Sequence, residues 1–307
     1  MKLGVICDGI SDDLEHAVDV MDEFGVEYAE LQYVNGIEVG DHSAADIRGM
    51  ASLLRDRAKP VACLSRHLFA GMTSDNRPGD ALHTRHMEAL KRVIDMAHVL
   101  DCPLVRIMTP RKEQILWGSH GAEKWNVAHG AWDALVPIVA PAVELARASG
   151  LTLVVETGNG TMVNSSHTAR RLIDELDAKD TLKVLWDPAN SCWCHEPAYP
   201  DGYEVLRDGY LGHVHIKDVK VDTPRATLEV RQLGEGQLAG MFRPIAAALQ
   251  SDAYDGVISL ESVYHPGNGN FEEGFRLCIK PFKSIFGNNG EPSEGAVTAG
   301  SSRSTLQ

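Results

Sequence analysis

The sequence LTLVVETGNG (151–160) starts as an apolar, β-branched run and ends in a glutamate followed by turn residues. Three later stretches repeat this design: LKVLWDPANS (182–191), LGHVHIKDV (211–219) and GVISLESVYH (256–265). Runs of this length and composition are typical of buried strands. Each run therefore predicts a strand whose last residues carry a group that can bind a metal or move a proton.

The spacing of these stretches predicts a parallel barrel. The acidic or imidazole groups at their ends are 31, 28 and 46 residues apart, so each interval can hold a loop, a helix and a return loop. The first half of the chain alternates strand-like and helix-like segments in the same way, and its predicted strands are 2–7, 26–33, 60–68 and 102–110. We predict an α/β fold, a single-domain (β/α)8 TIM barrel, over residues 1–287.

The strand ends predict a metal site. In a parallel barrel the C-terminal ends of all strands lie on one face, where active sites form. Glu156, Asp187, His215 and Glu261 would converge there. Three carboxylates and one imidazole suit Mn²⁺, Mg²⁺ or Co²⁺ better than a structural zinc. Because burying three like charges without a cation is costly, we expect a metal rather than an ion-pair network alone.

The segments VVET, LWDPAN, HVHIKD and ISLES occur in this order. On these segments the chain resembles the xylose-isomerase-like TIM-barrel superfamily of sugar (phosphate) isomerases and epimerases. The resemblance implies that Glu156, Asp187, His215 and Glu261 bind a divalent metal, with Mn²⁺ preferred. It also implies that Glu156 and Glu261 are the catalytic pair. One would remove a proton α to a carbonyl and the other would return it through an enediolate.

Further residues near the predicted mouth are candidate substrate contacts. Glu30, near the end of strand 2, resembles the acidic residue that relatives place near the substrate, and an ion pair inside the mouth is an equal alternative. Lys217 is a candidate donor to the developing oxyanion. His67 lies at the end of a predicted strand, and Asn190 and His265 follow predicted strands. Trp117 lies in the long loop 111–130, where its ring would form a wall of the substrate pocket.

The segment Cys-Trp-Cys-His (192–195) has the look of a metal cluster, but no second pair of ligands lies at a suitable distance in the sequence. We therefore expect a substrate-pocket loop here. In that reading, Trp186 or Trp193 forms one wall of the pocket.

Departures from the family pattern limit the predicted reaction. Glu156 is followed by Thr-Gly-Asn, whereas xylose isomerases carry Glu-x-x-Lys, so a two-metal hydride shift is not expected. Ketose 3-epimerases have a histidine and a second glutamate at the positions of Asn190 and Met162. Keto-inositol dehydratases and enzymes that cleave C-glycosides of 3-oxo-sugars share the Asp-Pro-x-Asn and His-x-Lys-Asp patterns more loosely. We predict a metal-dependent sugar isomerase or epimerase, with a lyase on the same scaffold as the alternative.

Composition limits the partners. The net charge of −14 argues against nucleic acid, and with it against a multi-zinc nuclease on this barrel. No stretch reaches about 18 apolar residues, so no membrane span is expected. Scattered cysteines and an N-terminus without signal features predict a cytoplasmic protein with reduced thiols. We expect residues 288–307 to be a disordered tail. The expected partner is a small-molecule sugar or sugar derivative; a homo-oligomer or an accessory-subunit role stays open.

Overall fold

Eight parallel strands close into a barrel in the computed structural model, which describes residues 1–73, 75–112, 128–225 and 227–287. The strands of the chain are β1 (Lys2–Ile6), β2 (Tyr28–Leu31), β3 (Tyr33–Val34), β4 (Ile37–Glu38), β5 (Val61–Leu68), β6 (Leu104–Ile107), β7 (Thr152–Glu156), β8 (Leu182–Trp186), β9 (Leu211–Ile216), β10 (Asp218–Asp222), β11 (Thr227–Arg231) and β12 (Val257–Leu260). Around the barrel they run β1-β12-β9-β8-β7-β6-β5-β2. The predicted (β/α)8 barrel is therefore confirmed.

Helices surround the barrel. They are α1 (Leu14–Phe24), α2 (Ala44–Asp56), α3 (Ala81–Leu100), α4 (Ala128–Ser149), α5 (Ser166–Glu175), α6 (Pro188–Ser191), α7 (Tyr203–Leu206), α8 (Phe242–Ser251) and α9 (Phe271–Phe286). The cap of α1 is Asp13, whose carboxylate accepts the backbone N–H groups of Glu15 and His16. The Ser11 hydroxyl oxygen accepts the backbone N–H of Asp13. In the described part of the chain, no helix is long and apolar enough to cross a membrane.

Alternation along the strands decides which side chains enter the barrel. Cys63, Val154 and Leu185 form a small apolar cluster, and Leu104 packs against it. Ser65 lies two residues beyond Cys63 on β5, so it points to the same inward side. A larger apolar cluster packs the helices against the outside of the strands. The interior is apolar at one level and turns polar toward the C-terminal ends of the strands.

Two antiparallel hairpins were not predicted. One pairs β3 with β4, directly after β2, and the other pairs β10 with β11, directly after β9. Asp218 anchors the second: its carboxylate accepts the backbone N–H groups of Val219, Gly234, Gly236 and Leu238 at 2.9–3.1 Å. A Cβ at position 236 would collide with this carboxylate. Asp218 thus fixes the loop Gly234-Glu235-Gly236.

Candidate metal and active site

Four side chains meet at the C-terminal mouth of the barrel. Glu156 ends β7, Asp187 directly follows β8, His215 lies near the end of β9 and Glu261 directly follows β12. One potential ligand atom from each lies within 4.8 Å of the others. We call these four residues the mouth cluster. The structure thus brings together the side chains that the sequence placed at strand ends, while their role as ligands stays a prediction.

His215 presents a free nitrogen to the carboxylates. Its Nδ1 atom is buried, has no hydrogen-bond partner and lies 3.6 Å from Oε2 of Glu261. Its other ring nitrogen, Nε2, is 2.8 Å from Oε1 of Glu30. A buried imidazole nitrogen that faces several carboxylates is an arrangement that a divalent cation would complete. The residues present therefore fit a metal ion, and the mouth cluster is the group that could hold it.

Lys217 neutralises one side of the mouth cluster. Its Nζ atom contacts Oδ2 of Asp187 and lies 2.5 Å from Oε2 of Glu261. Burial raises the pKa of Asp187 to about 7; Lys217 opposes this shift and the neighbouring glutamates add to it. Burial would also raise the pKa of Glu261, but Lys217 and His215 hold it well below its usual range. Near neutral pH Glu261 is therefore ionised, whereas Asp187 stands close to its titration point.

Glu156 is held by a different set of donors. Nη1 of Arg106 lies 2.9 Å from Oε2 of Glu156, and Nδ2 of Asn190 donates to Oε1 at 3.0 Å. The guanidinium group is buried and also donates to the backbone oxygens of Ser65 and Arg66. A buried arginine needs such a carboxylate partner. Asn190, predicted as a substrate contact, thus lies in the site through its bond to Glu156.

A second polar group lies deeper in the barrel. Oε2 of Glu30 is 2.7 Å from Nε2 of His213, and Oε1 of Glu30 accepts from the Ser65 hydroxyl and bonds to His215. Ser259 lies 3.3 Å from Nε2 of His213. We call Glu30, Ser65, His213 and Ser259 the inner layer; each is 0% exposed. Burial disfavours charge here, yet the two imidazoles hold the pKa of Glu30 well below its usual range. Against the same burial effect, Glu30 helps to raise the pKa of His215 to about 10.

Glu30 lies deeper than the other predicted substrate contacts that the structure describes, and its role toward a substrate stays a prediction. Its side chain has no exposed surface, and both carboxylate oxygens already accept hydrogen bonds. The alternative prediction, an ion pair within the barrel, describes its contacts. Side chains alternate along the strand, so the next inward position after Glu30 is Gln32, two residues closer to the mouth.

His67 lies at the rim of the mouth. Its side chain is 37% exposed, with Nδ1 2.9 Å from Oε1 of Glu38 and Nε2 3.2 Å from Nε2 of Gln32. It lies on the inward side of β5, one step above Ser65. The position fits the predicted substrate contact. Its partner Glu38 was missed, because Glu38 lies on the unpredicted hairpin β3–β4.

Of the other candidates, His265 is not brought into the site and Trp117 is not described. His265 is exposed, and its Nδ1 atom accepts the backbone N–H groups of two nearby glycines, which ties it to its own loop. Trp117 lies outside the described residues, as does most of the loop 111–130, so its role as a wall stays a prediction. The predicted tail 288–307 also lies outside them.

The segment 192–195 holds no metal-ligand cluster among the described residues. Both of its cysteine thiols donate to backbone carbonyl oxygens instead. Trp186, expected as a pocket wall, is fully buried and packs against Tyr203 with ring centroids 5.8 Å apart. It therefore stabilises the packing around β8 and does not line a pocket.

Asp8 lies near the mouth and was not among the predicted site residues. It is two residues beyond β1, in the 3₁₀ turn Cys7–Gly9, and its Oδ1 atom is buried without a partner. Burial raises the pKa of this carboxyl group. The hydroxyl group of Ser262, next to Glu261, is also buried without a partner. The sequence signal for Asp8 was its position just beyond a predicted strand.

The closed barrel and its mouth cluster define a TIM-barrel protein with a candidate metal centre. The chain belongs to the xylose isomerase-like TIM barrel family, whose sequence profile matches residues 18–281. This confirms the family suggested by the four strand-end segments.

The individual proteins to which the chain is similar include a dehydratase and an epimerase. The inosose dehydratase of Geobacillus thermodenitrificans (strain NG80-2) is 25% identical over 154 residues, which are 45% of this chain and 49% of that protein. The match thus spans about half the length of this curated relative. The crystal structure of the IOLI protein with a bound zinc atom superposes with a TM-score of 0.70 at 16% identity, over 93% of this chain and 98% of that one. The 3-keto-D-glucoside 4-epimerase from E. coli gives 0.61 at 18% identity, over 92% and 99%. At these identities the solved structures show a shared fold.

Proposed function

We propose that the chain is a divalent-metal-dependent sugar isomerase or epimerase, with Glu156 and Glu261 as its acid–base pair. The mouth cluster supports this proposal. Its two glutamates come from strands separated by β8 and β9, and each is paired with a different cation, Arg106 or Lys217. The two carboxylates can therefore approach one bound sugar from different sides. Mn²⁺ is the preferred ion for this oxygen-rich set with one imidazole.

A divalent ion in the mouth cluster would polarise a substrate carbonyl and acidify the adjacent C–H bond. One glutamate accepts the proton from that carbon, and the C–H electron pair moves toward the carbonyl oxygen to give an enediolate. The other glutamate, protonated at the start, returns a proton to the opposite face of the carbon. Lys217 is placed to donate to the developing oxyanion. General acid–base catalysis of this kind contributes about 10²–10⁴-fold.

A lyase is the second candidate, and two observations favour it. The matched curated relative is named as an inosose dehydratase. In addition, Asn190 occupies the position of the histidine expected in ketose 3-epimerases. The first proton abstraction would be the same. The second glutamate would then deliver its proton to the departing hydroxyl group as the C–O bond breaks, which releases water.

Reaction in D₂O tests the proposal. The metal-loaded protein would be incubated with ketoses, 3-oxo-glycosides and keto-inositols, and the products followed by mass spectrometry. Deuterium in a product of unchanged connectivity supports an isomerase or epimerase. Loss of water or of an aglycone identifies a lyase. Absence of both exchange and turnover across the panel, with metal bound, rejects both candidates.

A further inference from the structure

We propose that Glu30 is a positioning residue of the metal centre. By accepting a hydrogen bond from Nε2 of His215, it directs the Nδ1 lone pair of that ring toward the carboxylates of the mouth cluster. This inference rests on the proposed metal site. It also replaces the predicted role of Glu30 as a substrate contact with a role that acts through His215.

The two nitrogens of His215 have different surroundings. Nε2 lies 2.8 Å from Oε1 of Glu30, whereas Nδ1 has no hydrogen-bond partner and lies 3.6 Å from Oε2 of Glu261. A metal-bound imidazole carries one ring proton, and the hydrogen bond of its second nitrogen decides where that proton sits. Glu30 assigns the proton to Nε2. Nδ1 is then the nitrogen with a lone pair for a cation.

Glu30 itself is held rigidly. Its second oxygen lies 2.7 Å from Nε2 of His213, and the Ser65 hydroxyl donates to the oxygen that also bonds to His215. The His213 ring stands edge-on to the His215 ring, at 80° with centroids 5.3 Å apart. Two imidazoles and a hydroxyl thus leave the carboxylate little freedom to rotate. The orientation of His215 is fixed from inside the barrel before any ligand arrives.

Glu30→Leu is the decisive variant. A leucine side chain has no acceptor atom, so Nε2 of His215 loses its hydrogen-bond partner. We expect its Mn²⁺ dissociation constant, from calorimetric titration, to rise about 10–100-fold, the usual effect of losing an orienting partner of a metal-ligating histidine. His67→Gln is the matched control. It removes an imidazole at the rim that contacts neither Glu30 nor His215 in the described structure, and Mn²⁺ affinity should be unchanged.

A second measurement needs no variant. In Zn²⁺-loaded wild-type protein labelled with ¹⁵N-histidine, NMR should show His215 with its proton on Nε2 and zinc on Nδ1. Zinc on Nε2 would overturn the inference even if the Glu30 variant failed to fold.

The titration also separates this inference from the proposed function. Equal Mn²⁺ affinity of the wild type and a folded Glu30→Leu protein would overturn the role of Glu30 alone. Absence of Mn²⁺ and Zn²⁺ binding by the wild type would overturn both proposals.

Discussion

The mouth cluster and the inner layer meet where His215 of the mouth cluster bonds to Glu30 of the inner layer, but they differ in how their charges are compensated. In the inner layer, the single carboxylate of Glu30 is fully buried and meets two imidazoles and a hydroxyl group. In the mouth cluster, three carboxylates share Lys217 and Arg106, and one imidazole nitrogen lacks a partner. The carboxylate of Glu30, which is bonded through both oxygens, can fix geometry, whereas the mouth cluster can take up a cation and a substrate. The same histidine connects the two.

Glu261→Gln should give the largest effect, because the proposed chemistry belongs to the mouth cluster. Loss of one member of the acid–base pair should lower kcat by about 10²–10⁴-fold. Steady-state kinetics on the substrate found by the D₂O screen would measure this. Ser65→Ala, which removes one hydrogen bond from the inner layer, is the matched comparison and should retain most of kcat. Equal losses of kcat in both variants would contradict the proposed difference in role between the mouth cluster and the inner layer.

Glu156→Gln should cost more stability than Glu261→Gln, although both remove one charge from the mouth cluster. Arg106 is 3% exposed and depends on Glu156 for its carboxylate. Leaving this cation without its partner should lower the free energy of unfolding by about 3 kcal/mol. Glu261 is partly exposed, so its loss should cost less. Urea unfolding of the metal-free proteins would measure both values, and equal midpoints would contradict the assigned ion pair.

The pH dependence of the metal-free protein should give the smallest effect. The pKa of Asp187 is raised to about 7 in the folded state, above its value in the unfolded chain. Its contribution to stability is therefore complete below the unfolded pKa, near 4, and is lost as pH rises through about 7. The melting temperature of the wild type should fall more steeply between pH 5 and 8 than that of Asp187→Asn. Parallel curves would show that Asp187 titrates elsewhere.

Much of the mouth cluster could be predicted because barrel geometry converts sequence position into location. Glu156 and Glu261 end apolar runs, and every such end in a parallel barrel lies on one face. Depth inside the barrel is less visible. Glu30 and His67 both lie near strand ends, yet Glu30 is sealed under the mouth and His67 is at the rim. The difference depends on the stagger of neighbouring strands, which a single sequence does not state.

The hairpins escaped prediction for a different reason. Strands β3 and β4 have two residues each, too short for an alternating pattern to register. The second hairpin depends on Asp218, which bonds to backbone N–H groups as many as 20 residues away. Such a long-range contact leaves no local signature. Glu38, the partner of His67, was missed because it belongs to the first of these hairpins.

The proposed metal centre requires that Mn²⁺ binding depend on His215. Free Mn²⁺ would be followed by EPR while metal-stripped wild type, His215→Ala and His265→Ala are titrated. His265, an exposed histidine of a nearby loop, is the control. We expect one bound ion per chain for the wild type and His265→Ala, and affinity more than about 100-fold weaker for His215→Ala. Undiminished binding by His215→Ala, or no binding by the wild type, would contradict the proposed metal centre.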